Sequence, residues 1–103
     1  MEKNDYFVIA YRILDYFYEC LKAGIDPNTE EISAARLGIP AKYRLFVIEA
    51  LLEIGCIRGI RVSAGTKTMF FDAPMITRYG IEYLYFDPKM VNAARFLTEL
   101  ECE

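Results

Sequence analysis

The sequence predicts a predominantly helical α+β domain, with a three-helix core, a β-hairpin and two further C-terminal helices. Three observations carry that expectation. Apolar residues recur at helical spacing between Tyr6 and Ala23. The stretch "RLGIPAKY", residues 36–43, sets a glycine and a proline between two helical segments, the punctuation of a tight helix-turn-helix joint. The stretch "IRGIRVSAGTKTMFF", residues 57–71, places two strand-forming runs on either side of a Ser-Ala-Gly-Thr turn. A chain of 103 residues fits one domain spanning residues 1–103, and no repeat, linker or low-complexity stretch divides it.

The first helix is expected over Tyr6 to Ala23. Phe7, Ala10, Leu14, Phe17 and Leu21 recur at intervals of three and four, and Ile9, Ile13, Tyr16 and Cys20 form a second apolar row beside them. Only Arg12, Asp15, Glu19 and Lys22 make a polar stripe. A helix this apolar must pack on two sides, or on one side and a partner chain. Gly24 and Pro27 break it. Asn28, three residues before Glu31, reads as a capping box that opens a second helix to about Leu37. Gly38 ends that helix, and Pro40 suits the first position of a third, running to about Ile54. Gly55 stands where a left-handed C-terminal cap is wanted.

The hairpin spans about 57–73. Its alternation is imperfect, because Ile57 and Ile60 face opposite sides unless Gly59 marks a bulge. The faces taken by Arg58 and Arg61 therefore stay open at this stage. Thr77 caps a fourth helix over about 77–86, which tolerates the interior Gly80. Asp87-Pro88 is an N-cap followed by a first-turn proline, so a fifth helix covers about 88–101. Val91, Ala94 and Leu97 are expected on its buried side, with Met90 and Leu100 beside them.

Composition excludes several classes. Hydrophobic content of 54% with 26% charged residues is that of a globular chain. Eight Tyr and seven Phe without Trp are many for this length, which points to aromatic surface with a second use, in dimerisation or ligand contact. The opening "MEKNDYFVIAYR" has mixed charges, so no signal peptide is expected, and no 18-residue apolar run exists to cross a membrane. Cys20, Cys56 and Cys102 are odd in number and far apart, with neither zinc-ligand nor disulfide-framework spacing. Each reads as a small core hydrophobe in a reduced, cytoplasmic protein. There is no histidine, no nucleophile motif and no phosphate-cradling glycine loop. No catalytic residue, no metal and no cofactor is expected. Glu49 and Glu53, four apart on one helix face, read as a solvated pair.

Net charge is −3, but it is unevenly spread. From Arg36 to Arg78 there are seven bases and three acids, or +4; the flanks hold five bases and twelve acids, or −7. A basic middle between acidic ends still attracts a polyanion locally.

The order helix, helix-turn-helix, hairpin, helix resembles the winged-helix fold. "LLEIGCIRGIRV" looks like the passage from recognition helix through glycine into the first wing strand, and "MITRYGIEYL" is similar to the "LTxKGxxYL" segment after the second. Tyr79 departs from that pattern, which usually has a lysine or other polar residue there. From about Tyr6 to Leu100 the chain resembles the YjcQ-type family, small proteins of Gram-positive bacteria and their phages. The C-terminal helix after "YLYFDPKM" fits that family better than a generic winged helix. The fold hosts many roles, so function must be argued from the site.

The resemblance implies a DNA-binding-like regulator or accessory protein of a phage or mobile element, with double-stranded DNA as partner. The third helix is then the one offered to the major groove. Lys42, Tyr43 and Arg44 then touch the groove or backbone, and Arg58, Arg61 and Lys67 the flanking phosphates. Otherwise Lys42 and Arg44 are ordinary solvated charges, and the hairpin bases guard an edge strand against aggregation. At about 100° per residue, Tyr43, Val47, Ile48, Leu51, Leu52 and Ile54 take the core side of that helix. Lys42, Leu45, Phe46, Glu49, Ala50 and Glu53 face outward, a poor set for reading base edges, unless a tilt buries Phe46 against the second helix. The alternative is a protein-interaction module that keeps the fold without binding DNA and uses Leu45 and Phe46. The surplus apolar rows of the first helix and the aromatic "YLYF" also point to a homodimer through the N- and C-terminal helices, unless the fifth helix simply covers the first.

Overall fold

The computed structural model describes residues 1–101. They form α1 (Tyr6–Ala23), a 3₁₀ turn (Thr29–Ile32), α2 (Ala34–Leu37), α3 (Ala41–Glu53), β1 (Ile57–Val62), β2 (Met69–Ile76), α4 (Arg78–Phe86) and α5 (Pro88–Glu101). A helix, a helix-turn-helix, an antiparallel hairpin and two closing helices make a winged-helix-like layout. Cys102 lies outside the described residues.

Helix α1 is the centre of the core. Asp5 accepts a hydrogen bond from the Phe7 amide at 3.0 Å to start it, and Gly24 ends it in the left-handed region. Ile9, Ala10, Ile13, Leu14 and Phe17 are buried together with Val47, Ile48 and Leu51 of α3, Ile57, Ile60 and Ile76 of the hairpin, Leu84 of α4 and Met90 of α5. Leu21, expected in the first apolar row, is instead 42% exposed, on the rim of a cavity it shares with Pro74 and Met75 of β2. The surplus apolar surface of α1 has an internal cover, since α5 packs along α1 and against α4.

The segment expected as one helix from Asn28 to Leu37 is two pieces. Asn28 caps by accepting from the Glu30 amide at 3.1 Å, not from a residue three positions on, and starts only a 3₁₀ turn. Ser33 then adopts an extended conformation and caps α2 through the Arg36 amide at 3.2 Å. Two strong capping residues this close each begin a turn of their own. Distant side chains hold the pieces in place. Arg12 of α1 donates to the carbonyls of Leu37 and Arg36 at 3.1 Å each, and the Tyr16 hydroxyl accepts from the Asn28 amide at 2.8 Å.

Pro40 is the cap residue of α3, with extended backbone, one position earlier than expected. Gly55 takes the left-handed turn after α3, with φ +83°. The hairpin pairs Ile57 with Ile76, Arg58 with Met75, Ile60 with Phe71, Arg61 with Phe70 and Val62 with Met69. Between the Arg58–Met75 and Ile60–Phe71 pairs the single Gly59 of β1 faces three residues of β2, Asp72 to Pro74, and across this bulge Ile57 and Ile60 are both buried. Gly59 makes the bulge possible: its φ is +82°, and a Cβ there would lie 2.5 Å from the Ala73 carbonyl oxygen. Strand β2 continues to Ile76, three residues beyond the expected end of the hairpin. In the turn, Lys67 rather than Gly65 takes the left-handed conformation, at φ +57°, as its amide bonds back to the Ser63 carbonyl at 2.9 Å.

Thr77 ties α4 to the joint between α3 and β1. Its amide donates to the Cys56 carbonyl at 2.9 Å, its hydroxyl donates to the Gly55 carbonyl, and the same hydroxyl accepts from the Gly80 amide at 3.0 Å. Gly80 is required by packing, because a Cβ would collide with the Cys56 carbonyl oxygen. In α5, Asp87 caps through the Lys89 amide at 2.8 Å. Met90 and Ala93 are its fully buried residues, whereas Val91 is 38% exposed and Ala94 and Leu97 are half-buried. The helix is thus rotated by about one residue from the expected face, because Met90 reaches the core under α1.

Candidate nucleic-acid interface

The outward side of α3 is built as its periodicity requires. Val47, Ile48 and Leu51 are buried and Tyr43 and Leu52 half-buried, which leaves Lys42, Phe46 and Glu53 exposed and Leu45, Glu49 and Ala50 intermediate. Ile54, expected on the core side, is 43% exposed because it is the cap residue beyond the last helical turn. Phe46 is 62% exposed, and Tyr6 is its ring neighbour, edge-on at 6.3 Å between centroids.

The hairpin turns Val62, Met69 and Phe71 toward α3, the same side as Ile60. Between them lies an open cleft of about 510 Å³, lined by Lys42, Arg44, Leu45, Phe46, Glu49, Lys67 and Met69, with Ala41 at its end. Lys42 from the first turn of α3 and Lys67 from the hairpin tip therefore share one cleft with the exposed Phe46. Arg58 and Arg61 lie on the opposite face of the hairpin. Arg61 stacks over Phe70 at 5.0 Å beside Asp72, and Arg58 lies 3.1 Å from the Met75 sulfur.

The six basic and aromatic candidates thus divide by what already holds them. Lys42, Arg58, Arg61 and Lys67 are exposed, and none forms an ion pair among the described residues. Arg44 is committed to the fold: its Nε donates to the Ile32 carbonyl at 2.8 Å, and its guanidinium lies 6.0 Å from the Phe71 ring. Burial lowers its pKa, with Glu30 acting in the opposite sense. Tyr43 donates its hydroxyl to the Asn4 carbonyl at 2.7 Å, and burial, then Asp5, raises its pKa. In the free protein both side chains are structural posts, Arg44 for the 3₁₀ turn and Tyr43 for the N-terminal segment.

The family model described as "YjcQ protein" matches residues 11–100, nearly the whole chain. The chain belongs to the YjcQ family. No curated protein and no solved structure matches it. In this YjcQ-family chain, sequence reading missed Met69 as a wall of the cleft and Phe70 as the platform under Arg61. Their signal was the strand alternation opposite Val62 and Arg61, legible only once the Gly59 bulge sets the register. Among the described residues, no group of three or more His, Cys, Asp or Glu side chains is placed to hold a metal ion. No described helix is long and apolar enough to cross a membrane.

Proposed function

We propose that this YjcQ-family chain is a non-enzymatic winged-helix DNA-binding protein, a transcriptional regulator or a phage or mobile-element accessory protein, acting in the cytoplasm. It holds double-stranded DNA mainly by the phosphates. One observation carries the reading: in a chain of net charge −3, four exposed bases that pair with no acid among the described residues stand on the start of α3 and on the hairpin. Lys42 and Lys67 approach the backbone from the α3 side, and Arg61 and Arg58 from the outer face of the wing. The outward row of α3, with Phe46, Glu49 and Glu53, favours phosphate and shape contacts over base reading.

Fluorescence anisotropy with a mixed-sequence duplex tests this. Four phosphate contacts give a log–log salt slope of about −3.6, and a dimer engaging both halves of a site gives about twice that. Such a homodimer would use the C-terminal helices, where Tyr85 and Phe86 of α4 and Val91 of α5 stay exposed, since α5 already covers the surplus apolar surface of α1. Reversing two charges, Arg61→Glu with Lys67→Glu, should abolish binding. Absence of binding to both the duplex and its separated strands at about 50 mM salt sinks the reading. The exposed Phe46 beside Leu45 favours a second reading, a protein-interaction module on the same scaffold, whose binding the double reversal leaves unchanged.

A further inference from the structure

We propose that the cleft between α3 and the wing receives an unpaired nucleobase, so that the preferred substrate is single-stranded or locally opened nucleic acid. The inference rests on the nucleic-acid reading above and narrows its substrate. Lys42, Phe46 and Glu49 stand at i, i+4 and i+7 on α3, which places their side chains in one stripe along the helix. Lys67 and Met69 of the hairpin form the facing wall of the same cleft. A ring flanked by cations from two different elements is the arrangement that binds a single strand: a base stacks on the aromatic face while its neighbouring phosphates meet the ammonium groups.

Intact duplex uses this stripe badly. Stacked, paired bases show the ring little more than a thymine methyl at the groove edge, whereas an unpaired base offers its whole π face. Glu49, the one carboxylate among the described residues that line the cleft, opposes a phosphate but accepts a hydrogen bond from an exocyclic amine such as that of cytosine. The outer face of the wing repeats the pairing of ring and cation, with Arg61 over Phe70, which is itself 47% exposed. Two such platforms on opposite sides of one hairpin suit a strand that wraps the wing.

The experiment compares the full chain on a labelled single strand of about 12 nucleotides and on the duplex of the same sequence, at one salt concentration. Wild type, Phe46→Ala and Phe46→Tyr are titrated side by side. The expected result is tighter binding of the single strand than of the duplex. Phe46→Ala should weaken the single strand by about tenfold and the duplex by less than about twofold, and Phe46→Tyr, which keeps a ring, should restore wild-type affinity. Duplex binding at least as tight as single-strand binding, or Phe46→Ala changing neither or both equally, overturns this inference and leaves the DNA reading standing. Binding of neither form at about 50 mM salt removes both.

Discussion

Helix α1 buries seven of its 18 residues and sends Arg12 and Tyr16 to internal hydrogen bonds, whereas α3 buries three of 13 and leaves Lys42, Phe46 and Glu53 in solvent. Both helices are rich in apolar residues, so the difference lies in what covers them. The hairpin, α3, α4 and α5 close around α1. Helix α3 is anchored along one side, and its other side forms a wall of an open cleft. In this fold one apolar helix supplies stability, and the other holds up a surface.

Three substitutions break or sharpen that contrast. Phe17→Ala removes a fully buried ring from the centre of α1 and should cost about 3–5 kcal/mol in urea denaturation. A loss below about 1 kcal/mol would mean that α1 is not closed on its inner rows. Gly59→Ala acts at the bulge that aims the hairpin. It combines a left-handed backbone with a 2.5 Å approach to the Ala73 carbonyl oxygen, and the expected loss is about 1–3 kcal/mol in the same measurement. Wild-type stability in that variant would show that the bulge is not needed. Phe46→Ala, on the free side of α3, should leave stability within about 0.5 kcal/mol. A cost above about 1 kcal/mol would show that the ring is packed, and the contrast between the two helices would collapse.

Legibility in the sequence follows the range of the interaction. Helix starts at Thr77 and Asp87 and the turn at Gly55 were readable because each depends on bonds to residues only a few positions away. The split between Asn28 and Leu37 was not, because Ser33 starts a turn of its own five residues after Asn28, and Arg12, Arg44 and Tyr16 hold the two pieces from other helices. Of the candidate site, Phe46 could equally have been tilted against the second helix, whereas the outward place of Lys42 followed from the pattern. The engagement of Arg44 and Tyr43 did not, since a long or hydroxylated side chain near a helix start has no partner until the chain folds back on it.

The sequence by itself determined the element order, the helix-turn-helix joint, the basic middle between acidic ends and the outward stripe on α3. Local capping, apolar period and charge count are properties of neighbouring residues, so they need no fold to be read. Only the tertiary structure decided which faces Arg58 and Arg61 take, because the bulge at Gly59 is defined by its pairing with β2. Only it brought Lys67 and Met69 to the stripe of Lys42, Phe46 and Glu49, because a cleft between a helix and a hairpin depends on how both pack on the core around α1.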